Sequence, residues 1–561
     1  VRRVSRFVLT IVLVGLLNYV LFLPRVLWPN RAAGSNLVHP MNRPLVVGIG
    51  YELGVLLAIV VLAASSERWR RPVRIAATYL VAAFLLVSTY HEAYLYVFFN
   101  DPAVVDDWRL LLNLAHFLPH AGRETWIKVI GGVVGWIAAI ALAAWTFQRV
   151  QEATRLAPLR RRAIAGGTFV VLGALLLVTF RWPPQNRFVQ QLSDGIVVNI
   201  GASRIALANW RAIFDQPIDT RNDVFASAPM EVKPNVYLVL FEAYGEILAT
   251  CTSKTAYRSL LARMEAILAE SGFRARSAYS IASIYGGRSW LSIATIQTGI
   301  HIDSQPTFRV FEQNAARIPT LTSFFKAHGY QTLMLQPWDQ ERVGLPREDV
   351  YRRDVAVIRT DLPYEGPPSG ITGVPDQWAV EYFDHTYLRG ARQPRFVSYM
   401  ATATHFDWPA PPPIARDWRA LERALDPDDI EPWEPIPGTE AITDPVLARY
   451  FATVVYEWRV LARYIAARRE ENALFVIVGD HQPFLKCGDA TSSFHTPVHI
   501  LARDPALLDR FADAGLAAGL HTDPDGCPRL KHEGLFSLLA ATLTGTAARF
   551  PNGISLSGLR R

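Results

Sequence analysis

The sequence predicts two bodies in succession, a bundle of about five membrane-spanning helices and then a soluble α/β domain. Three observations predict it. Runs of roughly 20 apolar residues, long enough to cross ~30 Å of hydrocarbon, recur only in the first third of the chain. Two short apolar runs far apart in sequence, 235–242 (NVYLVLFE) and 474–481 (LFVIVGDH), end abruptly in ionisable groups. Between and around them, from residue 234 onward, apolar strands alternate with segments of helical period and polar loops. With 561 residues, 50% apolar and 19% charged, the chain is too long for one compact domain and too apolar for an ordinary soluble one.

The expected spans are residues 7–28, 45–64, 75–99, 127–147 and 163–180. Their flanks give the orientation. Arg2, Arg3 and Arg6 precede the first, Arg68, Arg70, Arg71 and Arg74 separate the second from the third, and Arg155, Arg160, Arg161 and Arg162 separate the fourth from the fifth. Positive loops stay in the cytoplasm, whereas the loop with Asp101, Asp106 and Asp107 lies outside. An odd number of spans starting inside delivers everything after residue 180 to the outer face. The first span lacks a small-residue cleavage site and is expected to remain as an anchor. Membrane topology also accounts for the net charge of +7, which removes the case for nucleic-acid binding. Glu52, His91 and Glu92 fall inside the expected spans, at sites roughly 10 Å deep from the outer side. They read either as an interhelical pair that locks the bundle or as a polar notch facing a lipid headgroup.

Trp182, Pro183 and Pro184 stop the last span, and an amphipathic stretch through residue 213 suits the membrane surface. The expected division is a transmembrane domain at 1–181, a juxtamembrane linker at 182–233 and an extracytoplasmic α/β domain at 234–561.

In the last of these, the two apolar runs have the pattern of strands buried on both faces, with Glu242 closing one and Asp480 and His481 the other. Ligands of open α/β sheets bind beyond the carboxyl ends of the strands, so these three groups are placed to meet around one metal ion. Residues 257–270 have helical period. In SIYGGRSWLSIATIQTG, 283–299, Gly286 and Gly287 give a tight turn and Ser289 opens a helix. A hydroxyl there serves as a helix cap, or as a nucleophile whose negative charge the helix start favours. Residues 330–335 form a further strand, followed by Trp338 and Arg342; 395–404 form another that ends in His405, with a proline-rich rim at 408–413. The stretch 494–500 supplies His495 and His499, and 534–545 reads as a helix on the sheet. Cys251, Cys487 and Cys527 allow one disulfide and one free thiol, with the pairing open.

With these residues the chain resembles a membrane-anchored member of the alkaline phosphatase and sulfatase superfamily, and is most similar to the branch of lipoteichoic acid synthases, phosphoethanolamine transferases and glucan phosphoglycerol transferases. The resemblance implies a sulfatase-like α/β domain, a mixed sheet flanked by helices, on the periplasmic or extracellular side of a bacterial inner membrane. It implies one divalent metal ion, zinc or manganese, held by Glu242, Asp480, His481 and the nucleophile Ser289. His405 corresponds to a histidine that contacts the transferred phosphate, and His495, in an HTP sequence, to a second one. Trp338 and Arg342 correspond to a substrate-contacting pair. Ser289 stands nine positions before Thr298, which Gly299 follows, the sulfatase spacing, but Leu291 and Ile293 replace the Pro and Arg that direct formylglycine formation. Ser289 is therefore expected to remain serine, which favours phosphoryl transfer over sulfate ester hydrolysis.

The implied reaction moves a phosphoethanolamine or phosphoglycerol headgroup from a membrane phospholipid to an envelope glycan or lipid through a phosphoserine. A hydrolase of the same fold and a catalytically silent membrane scaffold are the alternatives.

Overall fold

The structure, a computed structural model, describes residues 2–27, 49–98, 103–105, 123–155, 189–190, 196–197, 199–204, 207, 220–339, 349–370, 372–390, 393–406, 408–485, 493–521 and 529–546. These residues fall into two compact units, one before residue 209 and one from 209 onward.

The first unit contains the long helices α1 (Arg2–Leu27), α2 (Tyr51–Ala63), α3 (Glu67–Phe98) and α4 (Arg123–Thr154). Leu17, Leu21, Leu57, Val60, Val81 and Phe147 interlock at their centre, while Ile11, Ile59, Leu86 and Ile137 face outward. An apolar exterior over an apolar interior is what a bilayer selects. Two stretches, Glu67–Glu92 and Val129–Thr154, are long and apolar enough to cross a membrane; Val8–Pro24 and Glu52–Ala63 are shorter apolar helices. The first four expected spans fall on these helices, and 163–180 lies outside the described residues. One boundary moves. The second helix starts at Tyr51 and not at residue 45, because Ile49–Gly50 pairs in parallel with Val189–Gln190. Glu52 thus sits in the first helical turn, where the helix dipole favours a carboxylate, and Glu52, His91 and Glu92 are all buried.

The second unit is built on a nine-stranded mixed sheet. In chain order its elements are β1 (Asn235–Phe241), α5 (Lys254–Glu270), β2 (Arg274–Ile281), α6 (Ser289–Thr298), α7 (Gln305–Asn314), α8 (Leu321–Ala327), β3 (Gln331–Gln336), β4 (Val355–Ile358), α9 (Asp376–Phe383), β5 (Arg395–Ala401), α10 (Pro445–Ala466), β6 (Ala473–Gly479), β7 (His495–Ala502), α11 (Pro505–Asp513), β8 (Ala517–Ala518), β9 (Arg529–Lys531) and α12 (Gly534–Thr544). The strand order is β8-β2-β7-β6-β1-β5-β3-β4, with β9 on β2. Strands β6, β1, β5, β3 and β4 run parallel to one another, whereas β7 is antiparallel to both β6 and β2.

The uninterrupted apolar run of β1 reflects burial on both faces. Tyr237, Val239 and Phe241 pack with Leu260 of α5 and Trp458 of α10. Val236, Leu238 and Leu240 pack with Phe324 of α8 and Phe536 and Leu539 of α12. Helix α10 starts sharply because Pro445 occupies its first turn and the Asp444 side chain accepts from the Val446 and Leu447 amides. The rim at 408–413 is irregular as expected, but Trp408 is not part of it: its ring is buried and its Nε1–H donates to Thr404 O at 2.8 Å. Cys251 is disulfide-bonded; Cys487 and Cys527 lie outside the described residues.

His499 belongs to the core and not to a strand tip. Position 499 is the fifth residue of β7, so its ring projects from the interior of the sheet against Trp458 of α10, between the Tyr244 hydroxyl at 3.0 Å and Ser277 Oγ at 2.8 Å. Burial pushes its pKa down to about 3, and burial likewise pushes the equally enclosed His532 down to about 4. Both stay neutral in the native protein while their unfolded counterparts protonate below about 6.5. Stability is therefore lost as pH falls from about 6.5 toward 4, by roughly 1.4 kcal/mol per pH unit for each group. In a series of denaturant melts against pH, His499→Gln is expected to have a shallower acid slope than the parent; an unchanged slope would remove His499 as a cause.

Candidate functional site

The site forms because β1 and β6 are neighbours in register, Phe241 against Gly479, so the residues that follow their tips emerge side by side. Asp480 N donates to Phe241 O at 3.2 Å, which extends the pairing one residue past the strand. Gly479 is required there, since a Cβ would lie 1.9 Å from Tyr244 O. Beyond the tip the chain turns through Ala243, at φ +49°, and Asp480 Oδ1 accepts from Ala243 N and His481 N, both at 2.8 Å. One oxygen of Asp480 is thus spent on holding the turn. The other, Oδ2, is buried and takes no hydrogen bond among the described residues; it faces His481 Nε2 at 3.4 Å.

Ser289 arrives from the other side of the sheet. Gly286 and Gly287 take positive φ, with the Phe484 ring where a Gly286 Cβ would be, and Arg288 caps α6 in a left-handed conformation. Ser289 is consequently the first helical residue and makes no cap bond. Its Oγ points at the strand tips, 3.0 Å from Glu242 Oε2 and 3.2 Å from His481 Nε2. His481 Nε2 is also 3.3 Å from Glu242 Oε1. The His481 ring is oriented by Nδ1, which donates to Gln482 O at 2.9 Å and leaves Nε2 directed at the cluster.

Glu242, Asp480 and His481 each offer a ligand atom within 4.8 Å of the others, all three buried. Burial raises the Asp480 carboxyl, and repulsion from Glu242 adds to it, to about 7. Burial also opposes the charge on Glu242 and on His481, but mutual attraction wins, holding Glu242 down at about 2 and His481 up at about 9. Glu242, Asp480 and His481 are buried together, and Asp480 Oδ2, which takes no hydrogen bond among the described residues, gives a cation a place to bind. Mixed O and N donors of this kind fit zinc or manganese.

His405 stands on the same side. After β5 the chain turns through residues 402–406; Thr404 Oγ1 donates to Glu242 O, His405 N donates to Thr402 O at 3.0 Å, and the His405 charge helps to lower the Glu242 pKa. Trp338 stacks on the His405 ring with centroids 4.7 Å apart and planes 21° from parallel. Arg342 lies outside the described residues. His495 opens β7, antiparallel to β6, and so reaches the same edge of the sheet. Its Nδ1 meets Ser493 Oγ at 2.5 Å and Glu246 Oε2 at 3.6 Å, and its carbonyl accepts from Glu246 N and Gln482 Nε2. Glu246 and Gln482 were not evident from the sequence. Glu246 follows Glu242 by four residues in a loop without periodicity, and its partner is about 250 positions away.

The sulfatase family model matches residues 234–500. No curated protein sequence matches this chain. Among solved structures, the integral membrane lipooligosaccharide phosphoethanolamine transferase EptA from Neisseria meningitidis is 13% identical, with 96% of this chain and 95% of that one covered and a TM-score of 0.48. The lipoteichoic acid synthase LtaP from Listeria monocytogenes is 11% identical over 62% of this chain and 81% of that one, with a TM-score of 0.36. The phosphoglycerol transferase GacH from Streptococcus pyogenes is 12% identical over 61% and 81%, with a TM-score of 0.35. The segment from the start of β1 into β7 is thus similar to the sulfatase family.

Proposed function

We propose that this protein transfers a phosphoalcohol headgroup, phosphoethanolamine or phosphoglycerol, from a membrane phospholipid to an envelope glycan or lipid through a phosphoserine at Ser289. The observation that carries the reading is the convergence of Ser289 Oγ with Glu242, Asp480 and His481 on one buried point. A serine hydroxyl is a weak nucleophile at neutral pH. Glu242, Asp480, His481 and Ser289 would hold a zinc or manganese ion, which would supply positive charge to activate the hydroxyl.

The remaining steps belong to the protein. Ser289 Oγ, its proton released to solvent, attacks the phosphorus in line, forming the O–P bond as the bond to the diacylglycerol oxygen breaks and that oxygen takes up a proton; an acceptor hydroxyl, giving up its own proton, then displaces Ser289 in a second in-line step. His405, backed by Trp338, steadies the phosphoryl oxygens, and His495, with Nδ1 engaged by Ser493 and Glu246, offers Nε2 to the leaving oxygen or the incoming hydroxyl. The helices of the first unit anchor the chain in the membrane with the catalytic domain outside, which makes the encounter with a lipid donor a local one.

The test is incubation of the zinc- or manganese-loaded protein with phosphatidylethanolamine and phosphatidylglycerol labelled in the headgroup. Label recovered on Ser289 from either lipid supports the reading and names the headgroup. Release of free headgroup phosphate with no transfer to any envelope acceptor would make the protein a hydrolase, and no adduct from either lipid would overturn the proposal.

A further inference from the structure

We infer that the buried acid pair Asp376 and Glu457 is a positioning device for His405, clamping the turn that presents this histidine to the site. The inference rests on the role proposed above for His405. Asp376 is the first residue of α9 and its carboxylate is directed at the end of β5. It accepts from the Tyr399 hydroxyl at 3.1 Å, Thr402 Oγ1 at 2.9 Å, Thr402 N at 3.0 Å and Ala403 N at 2.5 Å. Four donors to one carboxylate, all from a five-residue stretch, fix the backbone where β5 ends. The next two residues are Thr404, which holds the Glu242 carbonyl, and His405, which stacks on Trp338. Asp376 thus sets the start of a turn whose far side touches both the metal-ligand strand tip and the proposed phosphate contact.

Glu457, on α10, completes the arrangement. It is 0% exposed, and neither of its oxygens meets a donor among the described residues. A second unpaired carboxylate beside Asp376 would be expensive to enclose, whereas a neutral Glu457 satisfies both groups by donating its O–H to Asp376. Burial, reinforced by the Asp376 charge, raises the Glu457 carboxyl well above the ordinary range, in keeping with that arrangement. The pair is therefore a charged acceptor backed by a neutral acid.

The full-length protein in detergent or nanodiscs provides the test, read in three ways: rate of label appearance on Ser289, zinc affinity, and position of His405 by electron cryomicroscopy. Asp376→Ala frees residues 402–403 and is expected to slow labelling on the order of 100-fold, with zinc affinity unchanged and the His405–Trp338 stack lost. Asp376→Asn is expected to restore most of the rate, because its amide oxygen can take the two backbone N–H groups while its NH₂ turns to hydroxyls that can accept. Glu457→Gln, which keeps a donor, is expected to behave like the parent. Full activity in Asp376→Ala, an intact His405–Trp338 stack in it, or loss of zinc in step with activity would overturn the inference. Should Asp376→Ala fail to fold, Glu457→Leu withdraws the donor at similar volume and is read against the same three criteria. If the parent itself gives no label, the proposed function fails, and the position of His405 in the variants still decides this inference.

Discussion

Replacing Ser289 with alanine is expected to lower headgroup transfer by roughly 10⁴-fold or more while leaving the fold in place and weakening, without abolishing, metal binding through the three remaining ligands. The size follows from the role: with Oγ gone there is no covalent carrier, and the rest of the site can only orient donor and acceptor. The harmlessness to the fold follows from geometry. Ser289 makes no cap bond to α6, whose N-cap is Arg288, so the change costs the helix little, within about 0.5 kcal/mol. A denaturant melt and a zinc titration alongside the transfer assay separate the two effects. If Ser289→Ala transferred at a tenth of the parental rate, Ser289 would not be the carrier.

A comparably large effect is expected at Asp480, this time in binding. In Asp480→Asn the amide oxygen can replace Oδ1 and keep both backbone hydrogen bonds, from Ala243 and His481. The NH₂ then takes the place of Oδ2, and a nitrogen with its lone pair delocalised is no ligand. The variant should therefore fold normally, with one fewer buried negative charge beside Glu242, yet lose metal. A parent with free zinc at 100 times its Kd gains about 2.7 kcal/mol of stability. At the same zinc concentration Asp480→Asn is expected to gain almost none of this, and its metal-free form should be at least as stable as the metal-free parent, because burial and then repulsion from Glu242, which disfavour the Asp480 charge, no longer act on a neutral amide. A zinc-dependent melting shift equal in parent and variant would exclude Asp480 from the ligand set.

Much of the second unit was legible because its strongest signals are local. The run Val236–Phe241 alternates between two buried faces, so it contains no polar residue, and the first polar side chain after it, Glu242, marks where the strand leaves the core. The same holds for β6 and Asp480. What stayed hidden required partners remote in sequence. Asp376 and Glu457 are an exposed-looking acid at a helix start and an acid inside a long amphipathic helix, and nothing near either reveals that they face one another across α9 and α10. His499 failed in the opposite way: near a strand tip in sequence, it lies inside the sheet because β7 begins at His495. In the first unit, composition located the helices but not their ends. The pairing of Ile49–Gly50 with Val189–Gln190, 140 residues apart, moved the start of α2.

Hydrophobic patterning by itself determined that this chain has membrane-type helices followed by an α/β domain, and which residues stand at the ends of its buried strands, because burial imposes period and polarity on every local segment. Whether those residues meet is a matter of strand order. Only the tertiary structure set β6 beside β1, brought the start of α6 over both tips and turned Ser289 Oγ to within 3.2 Å of Glu242 and His481, because register and helix docking are fixed by contacts between segments and leave no mark on either segment alone.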